Sequence, residues 1–200
     1  MKTKRQKIVY QLVEKLYQSS KRELGKWMWE NHVQWVAEKA SKLAFKYGAD
    51  EEKVFVGALL HDLGDIWMER DEKDYEVRGN QESEQILKKA GFDNQEIENI
   101  LINIVELHSC YPGNLPQTVE GKCLASADAM FHLMTDFFPQ FGWKNLPKFS
   151  DYSEWISWVT EKIERDFNNK IFFEAEKKEV DPFYLALRSV YTKRNRLNRL

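Results

Sequence analysis

Along most of the chain, apolar positions recur every three or four residues, the spacing of one helix face. In IVYQLVEKLY, Ile8, Leu12, Val13 and Leu16 fall on a single stripe. Residues 30–47 repeat the pattern with Val33, Val36, Ala37, Ala40, Leu43, Ala44 and Tyr47. Gly48 suits a C-cap there, because glycine adopts the left-handed conformation cheaply. Asp50 then reads as an N-cap, with Glu51 and Glu52 placed to favour the helix dipole. The helix it opens, about 51–61, is apolar on nearly every side and belongs at the centre of a domain. The polar stretch ERDEKDYEVRGN, residues 69–80, has no sustained period and reads as a loop. Helices are predicted again over 81–90, stopped by Gly91, and over 93–108, started by Asp93. SCYPGNLPQ is a loop by its prolines and glycine. Residues 118–137 read as helix, FPQFGWKNLPKFS as irregular, and 151–178 and 182–195 as two closing helices. No strand pattern and no internal repeat emerges. The expected class is all-α: a helical bundle over residues 1–139 and a C-terminal helical extension, 140–200, packed on it.

Composition narrows the setting. The 200 residues are 42% hydrophobic and 31% charged, so the chain is globular rather than disordered. A net charge of -2 gives no general pull toward nucleic acid or membrane. The basic end, with Lys193, Arg194, Arg196 and Arg199, reads as a solvated terminus, and nucleic acid is not an expected partner. Cys110 and Cys123 are the only cysteines, and their spacing fits neither a zinc knuckle nor a redox pair. No run of 18 apolar residues predicts a membrane span, and the N-terminus lacks a signal-like apolar stretch. The expected location is cytoplasmic, with a homodimer left open.

The central apolar helix ends abruptly in His61 and Asp62, in VFVGALLHDLGDIW. A buried carboxylate costs several kcal/mol unless it is paired, hydrogen-bonded or metal-bound. Such a dipeptide can also be a capping aspartate beside a core histidine. Two further residues change the balance. His32, in ENHVQWVAEKA, has Val36 and Ala40 as its apolar helix neighbours, and Asp128 lies on the small, apolar face of LASADAMF. Two imidazoles and two carboxylates brought together would suit Mn, Fe, Co, Ni or Zn, and Mg less well. Four ligands also leave coordination positions for water.

In that order and in those contexts, His32, His61-Asp62 and Asp128 resemble the H…HD…D pattern of the HD-domain superfamily of metal-dependent phosphohydrolases, over about residues 28–135. The resemblance implies an all-helical HD bundle in which His32, His61, Asp62 and Asp128 hold a divalent metal. It also implies phosphoester hydrolysis by attack of a metal-bound water. Many members hold a second metal with two more histidines. Here NQESEQIL carries Asn80 where the first would stand, and only His108, in IVELHS, matches the second. One metal is therefore expected, with Asn80 and His108 toward the substrate. The branch resembling 5'-deoxynucleotidases carries an acid three residues after the HD aspartate, the offset of Asp65, which suggests a proton-transfer role. For the phosphate, Arg70, Lys73 and Arg78 in the polar loop and Lys26 are candidate cations, with Arg78 preferred because it adjoins Asn80. The substrate expected is a nucleotide or another small phosphate ester. Two rival readings stand beside it: a catalytically silent metal- or nucleotide-binding regulatory module, motivated by the missing histidine, and an oxygenase with paired iron, which some members of the superfamily resembled here are and which Asn80 disfavours.

Overall fold

A computed structural model describes residues 3–197 of the protein. Among them there is no strand, and the fold is all-α, as the periodicity predicts. The chain groups into two compact units, Met1–Ala127 and Asp128–Leu200, and the division falls within one helix, Val119–Met134. The sequence pattern predicts a boundary at 139/140. The side chains of the basic end from Lys193 onward lie outside the described residues.

In the first unit, helix α1 (Lys4–Ser19) starts at a capping box, in which the Gln6 amide donates to Thr3 Oγ1 and the Thr3 amide to Gln6 Oε1, each at 3.1 Å. Helix α2 (Glu23–Met28) runs through a π-helical turn, Trp29–Val33, into α3 (Gln34–Tyr47). Gly48 closes α3 with φ +70°. Helix α4 (Glu51–Leu60) is the apolar helix. Asp50 caps it by accepting from the Glu52 and Lys53 amides, both at 3.1 Å. Val54 through Leu60 are all buried, and α4 packs against α1, α3 and the π-helical turn Asn99–Val105. Gly57 allows the last of these contacts, since a Cβ there would stand 2.8 Å from Ile104 Cγ2.

Two stretches predicted to be irregular are helical in part. Helix α5 (Tyr75–Ala90) starts six residues before the predicted 81. Its first turns carry no apolar stripe, so periodicity missed them. They are held by tertiary contacts: Tyr75 packs over Gly64, and Gly79 approaches the Gly64 backbone. After α6 (Asn94–Glu98), which Asp93 caps as predicted, the chain passes through the π turn and a 3-10 turn, Glu106–Ser109.

Helix α7 (Val119–Met134) leads into the second unit. There α8 (Phe137–Asn145) occupies most of the predicted irregular stretch. Pro139 is tolerated because it lies in the first turn, where amide donors have no helical acceptor. Gly142 lets the Trp155 ring close against the helix. Helix α9 (Tyr152–Arg165) buries Ile156, Val159 and Ile163, and α10 (Glu174–Leu197) packs on it, with Phe167 stacked on Tyr184 at 3.9 Å between ring centroids. The break between the closing helices comes at 171–173, not before Pro182, which lies within α10. Buried Ile171 takes an extended conformation there and turns the chain.

Candidate metal centre

Three polar side chains meet in the core of the first unit. His32 comes from the π turn between α2 and α3, where the extra residue per turn resets the helix face. His61 and Asp62 follow the last turn of α4. All three are buried. His32 Nε2 and His61 Nε2 lie 2.9 Å apart, and Asp62 Oδ2 is 3.4 Å from the first and 3.3 Å from the second.

The protonation pattern suits metal binding. His61 Nδ1 lies 2.6 Å from the Ala58 carbonyl oxygen. A carbonyl only accepts, so Nδ1 carries the proton and the neutral ring turns the Nε2 lone pair to the site. His108, at the end of the 3-10 turn, is oriented the same way by the Val105 carbonyl, also at 2.6 Å. Its Nε2 lies 3.7 Å from Asp62 Oδ1, and His61, Asp62 and His108 form a second grouping able to hold a metal ion.

The spacing fits too. With metal–ligand bonds of about 2.1 Å, adjacent ligand atoms are about 3.0 Å apart in octahedral and about 3.4 Å apart in tetrahedral coordination. The triangle of His32, His61 and Asp62 has edges of 2.9, 3.4 and 3.3 Å, close to those spacings. The donor set is two imidazoles and a carboxylate, which suits borderline divalent metals.

Asp62 is held from behind. Tyr17 Oη donates to its backbone carbonyl at 3.0 Å. Burial favours the neutral acid, but the Arg70 charge and the contacts with the two histidines prevail, holding the Asp62 carboxyl well below its ordinary range. Asp62 is thus an anion at neutral pH, as a ligand must be.

Asp65 and Arg70 form the next layer. Arg70 Nη2 lies 2.6 Å from Asp62 Oδ2 and 2.6 Å from Asp65 Oδ2, and its Nε donates to Asp65 Oδ1 at 3.2 Å. Tyr75 Oη also donates to Asp65 Oδ1, at 3.2 Å. Asp65 is itself 1% exposed, whereas the Arg70 side chain is 54% exposed. The guanidinium therefore reaches the site from solvent. The Asp65 carboxyl is pushed up by burial and by the Asp62 charge, against the opposing pull of Arg70.

A cavity of about 210 Å³ opens over His61 and Asp62. Its lining includes Arg70, Tyr75, Asn80, His108, Ser109 and Tyr111. Of the expected substrate residues, Asn80 and His108 line it, and Asn80 Nδ2 donates to Glu106 Oε1 at 3.0 Å. Arg78 does not line it. Its guanidinium stacks 4.9 Å from the Trp67 ring centroid, and Arg70 is the cation at the cavity. Tyr75 went unnoticed because it lies in a polar segment, and Glu106 because a lone glutamate near a helix end looks like any solvated charge.

Asp128 opens the second unit on α7 and is buried there. It accepts a hydrogen bond from buried Lys170, and its Oδ1 lies 3.4 Å from His132 Nε2. Among the described helices none is long and apolar enough to cross a membrane.

Comparison with known proteins gives one match, to the family model described as HD domain, over residues 29–131. No curated protein and no solved structure matches the chain.

Proposed function

The protein belongs to the HD-domain family, and from that premise we propose that it is a metal-dependent phosphohydrolase acting on a nucleotide or another small phosphate ester. HD domains bind divalent metals and are typical of metal-dependent hydrolases. The observation that carries the reading is the triangle of His32 Nε2, His61 Nε2 and Asp62 Oδ2, at metal-ligand spacing beneath an open cavity. In this proposal His32, His61 and Asp62 hold one divalent metal, with Asp128 supplied as fourth ligand by the family's H…HD…D order. A bound divalent metal supplies Lewis acidity and makes water a nucleophile near neutral pH.

The chain's own residues do the rest. Arg70, charged and half in solvent, is free to turn from its carboxylates to a phosphate oxygen, which a guanidinium binds with paired hydrogen bonds. Asp65 loses a cationic neighbour when Arg70 turns, so its raised carboxyl is suited to hold a proton for the leaving oxygen. Tyr75, which donates to Asp65 Oδ1, helps to fix the orientation of Asp65. Asn80 and His108 face the cavity as substrate contacts.

A silent regulatory module is the second reading, favoured by Arg70 Nη2 lying 2.6 Å from the same Asp62 oxygen that the histidines face. Turnover separates the two. Purified protein screened against nucleoside monophosphates with Mn, Co, Ni and Mg is expected to hydrolyse at least one. Asp62→Asn is expected to lower the rate by about 1000-fold or more with its helical spectrum unchanged. Equal turnover in the variant would refute the proposal, and metal binding without turnover in the parent protein would favour the module.

A further inference from the structure

The second unit surrounds Asp128 with buried charged groups to which the proposed hydrolysis gives no role. Lys170 ends the π-helical turn Asp166–Lys170, and its side chain is 3% exposed. A lysine so buried requires a negative partner, and it donates to Asp128 Oδ2. One turn along α7, His132 Nε2 lies 3.4 Å from the other Asp128 oxygen. His132 Nδ1 lies 2.9 Å from Asp166 Oδ2, and Lys162 Nζ is 3.2 Å from that same oxygen. Asp128 and Asp166 are therefore matched by Lys170 and Lys162 inside the protein.

We infer that Lys170 is a positioning residue that acts through Asp128: its tethered ammonium competes with the divalent metal for that carboxylate and so sets how tightly the metal is held. The inference rests on Asp128 being a metal ligand, as proposed above. A carboxylate oxygen that already accepts a charge-assisted hydrogen bond has less electron density to donate. A dication near a fixed ammonium is also repelled, and the repulsion is weakly screened in a buried site. Both effects weaken metal binding, and both vanish when the side chain at 170 is neutral. A lysine that served only to fill space would leave metal affinity insensitive to its charge.

The test is calorimetric titration of Mn2+ into the metal-stripped full chain, with folding of each variant checked by circular dichroism. Lys170→Met is expected to lower the Kd about tenfold or more, in line with the usual size of effects from residues behind metal ligands. Lys170→Arg, which keeps the charge, should restore a Kd close to that of the parent protein. Lys170→Gln carries the same expectation as Lys170→Met and replaces it if the methionine variant does not fold. In an Asp128→Asn background the Lys170 substitution should have a smaller effect, because only the direct repulsion remains. An unchanged or higher Kd in the neutral variants, with Asp128→Asn weakening Mn2+ binding, would overturn the inference and leave the ligand assignment intact. An unchanged Kd in Asp128→Asn would instead remove Asp128 from the ligand set.

Discussion

Asp62 concentrates most of the local chemistry: two imidazole nitrogens and a guanidinium face one of its oxygens, and Tyr17 holds its backbone. Arg70 is the exposed member of this group, and its proposed role as phosphate clamp has a kinetic signature. Arg70→Ala should reduce kcat/KM by about 10- to 100-fold, the usual value of a charge-assisted pair, with most of the loss in KM. Steady-state kinetics on the best substrate checks this, and a loss confined to kcat would place Arg70 in orienting Asp62 and Asp65 instead. His61 and Asp62 stood out in the sequence because a carboxylate at the end of an apolar helix needs a partner. Arg70 did not stand out against Arg78 and Lys73, because cations in one polar segment look alike until the backbone shows which reaches the cavity. Lys170 was invisible for a related reason: nothing nearby in sequence marks a lysine as buried.

At the scale of elements, α4 is a rigid arm that ends in two site residues. Its register depends on close contact with the turn Asn99–Val105, made at Gly57. Gly57→Val should force Ile104 aside and destabilise the protein by about 1–3 kcal/mol, the usual cost of overpacking. Urea unfolding would show this as a lower midpoint with little change in slope, and an unchanged midpoint would mean that the contact yields freely. Asp50, Gly48, Gly91 and Asp93 marked helix ends in the sequence because capping is a local effect. The early start of α5 and the whole of α8 were not legible. Both depend on distant partners, Gly64 for Tyr75 and Trp155 for Gly142, and local pattern carries no record of such contacts. The π turns that place His32 and precede His108 escaped notice too, since one extra residue in a turn barely disturbs a 3.6-residue period.

Across the whole molecule, buried ionisable groups tie stability to pH. Burial lowers His132 from 6.5 to about 4, with Asp128 and Asp166 opposing and Lys162 assisting. The unfolded chain therefore binds this proton more readily than the folded one between those values. Stability contributed by the neutral ring is complete above about pH 6.5 and is lost as pH falls toward 4. The urea midpoint should be lower at pH 5 than at pH 7, and His132→Gln should flatten that difference. An equally steep dependence in the variant would assign it to other groups. The all-α class was legible at this scale because the helical period runs through nearly the whole chain, whereas the grouping into Met1–Ala127 and Asp128–Leu200 has no signal in composition. The central claim is that one divalent metal, held by His32, His61, Asp62 and Asp128, drives phosphoester hydrolysis. It is tested most directly by titrating Mn2+ into the metal-stripped chain while following hydrolysis of a nucleoside monophosphate panel. The expected result is no turnover without metal, activity that saturates at one Mn2+ per chain, and none with Asp62→Asn. Turnover that is independent of added metal, or one tightly bound Mn2+ per chain with no substrate cleaved, would contradict it.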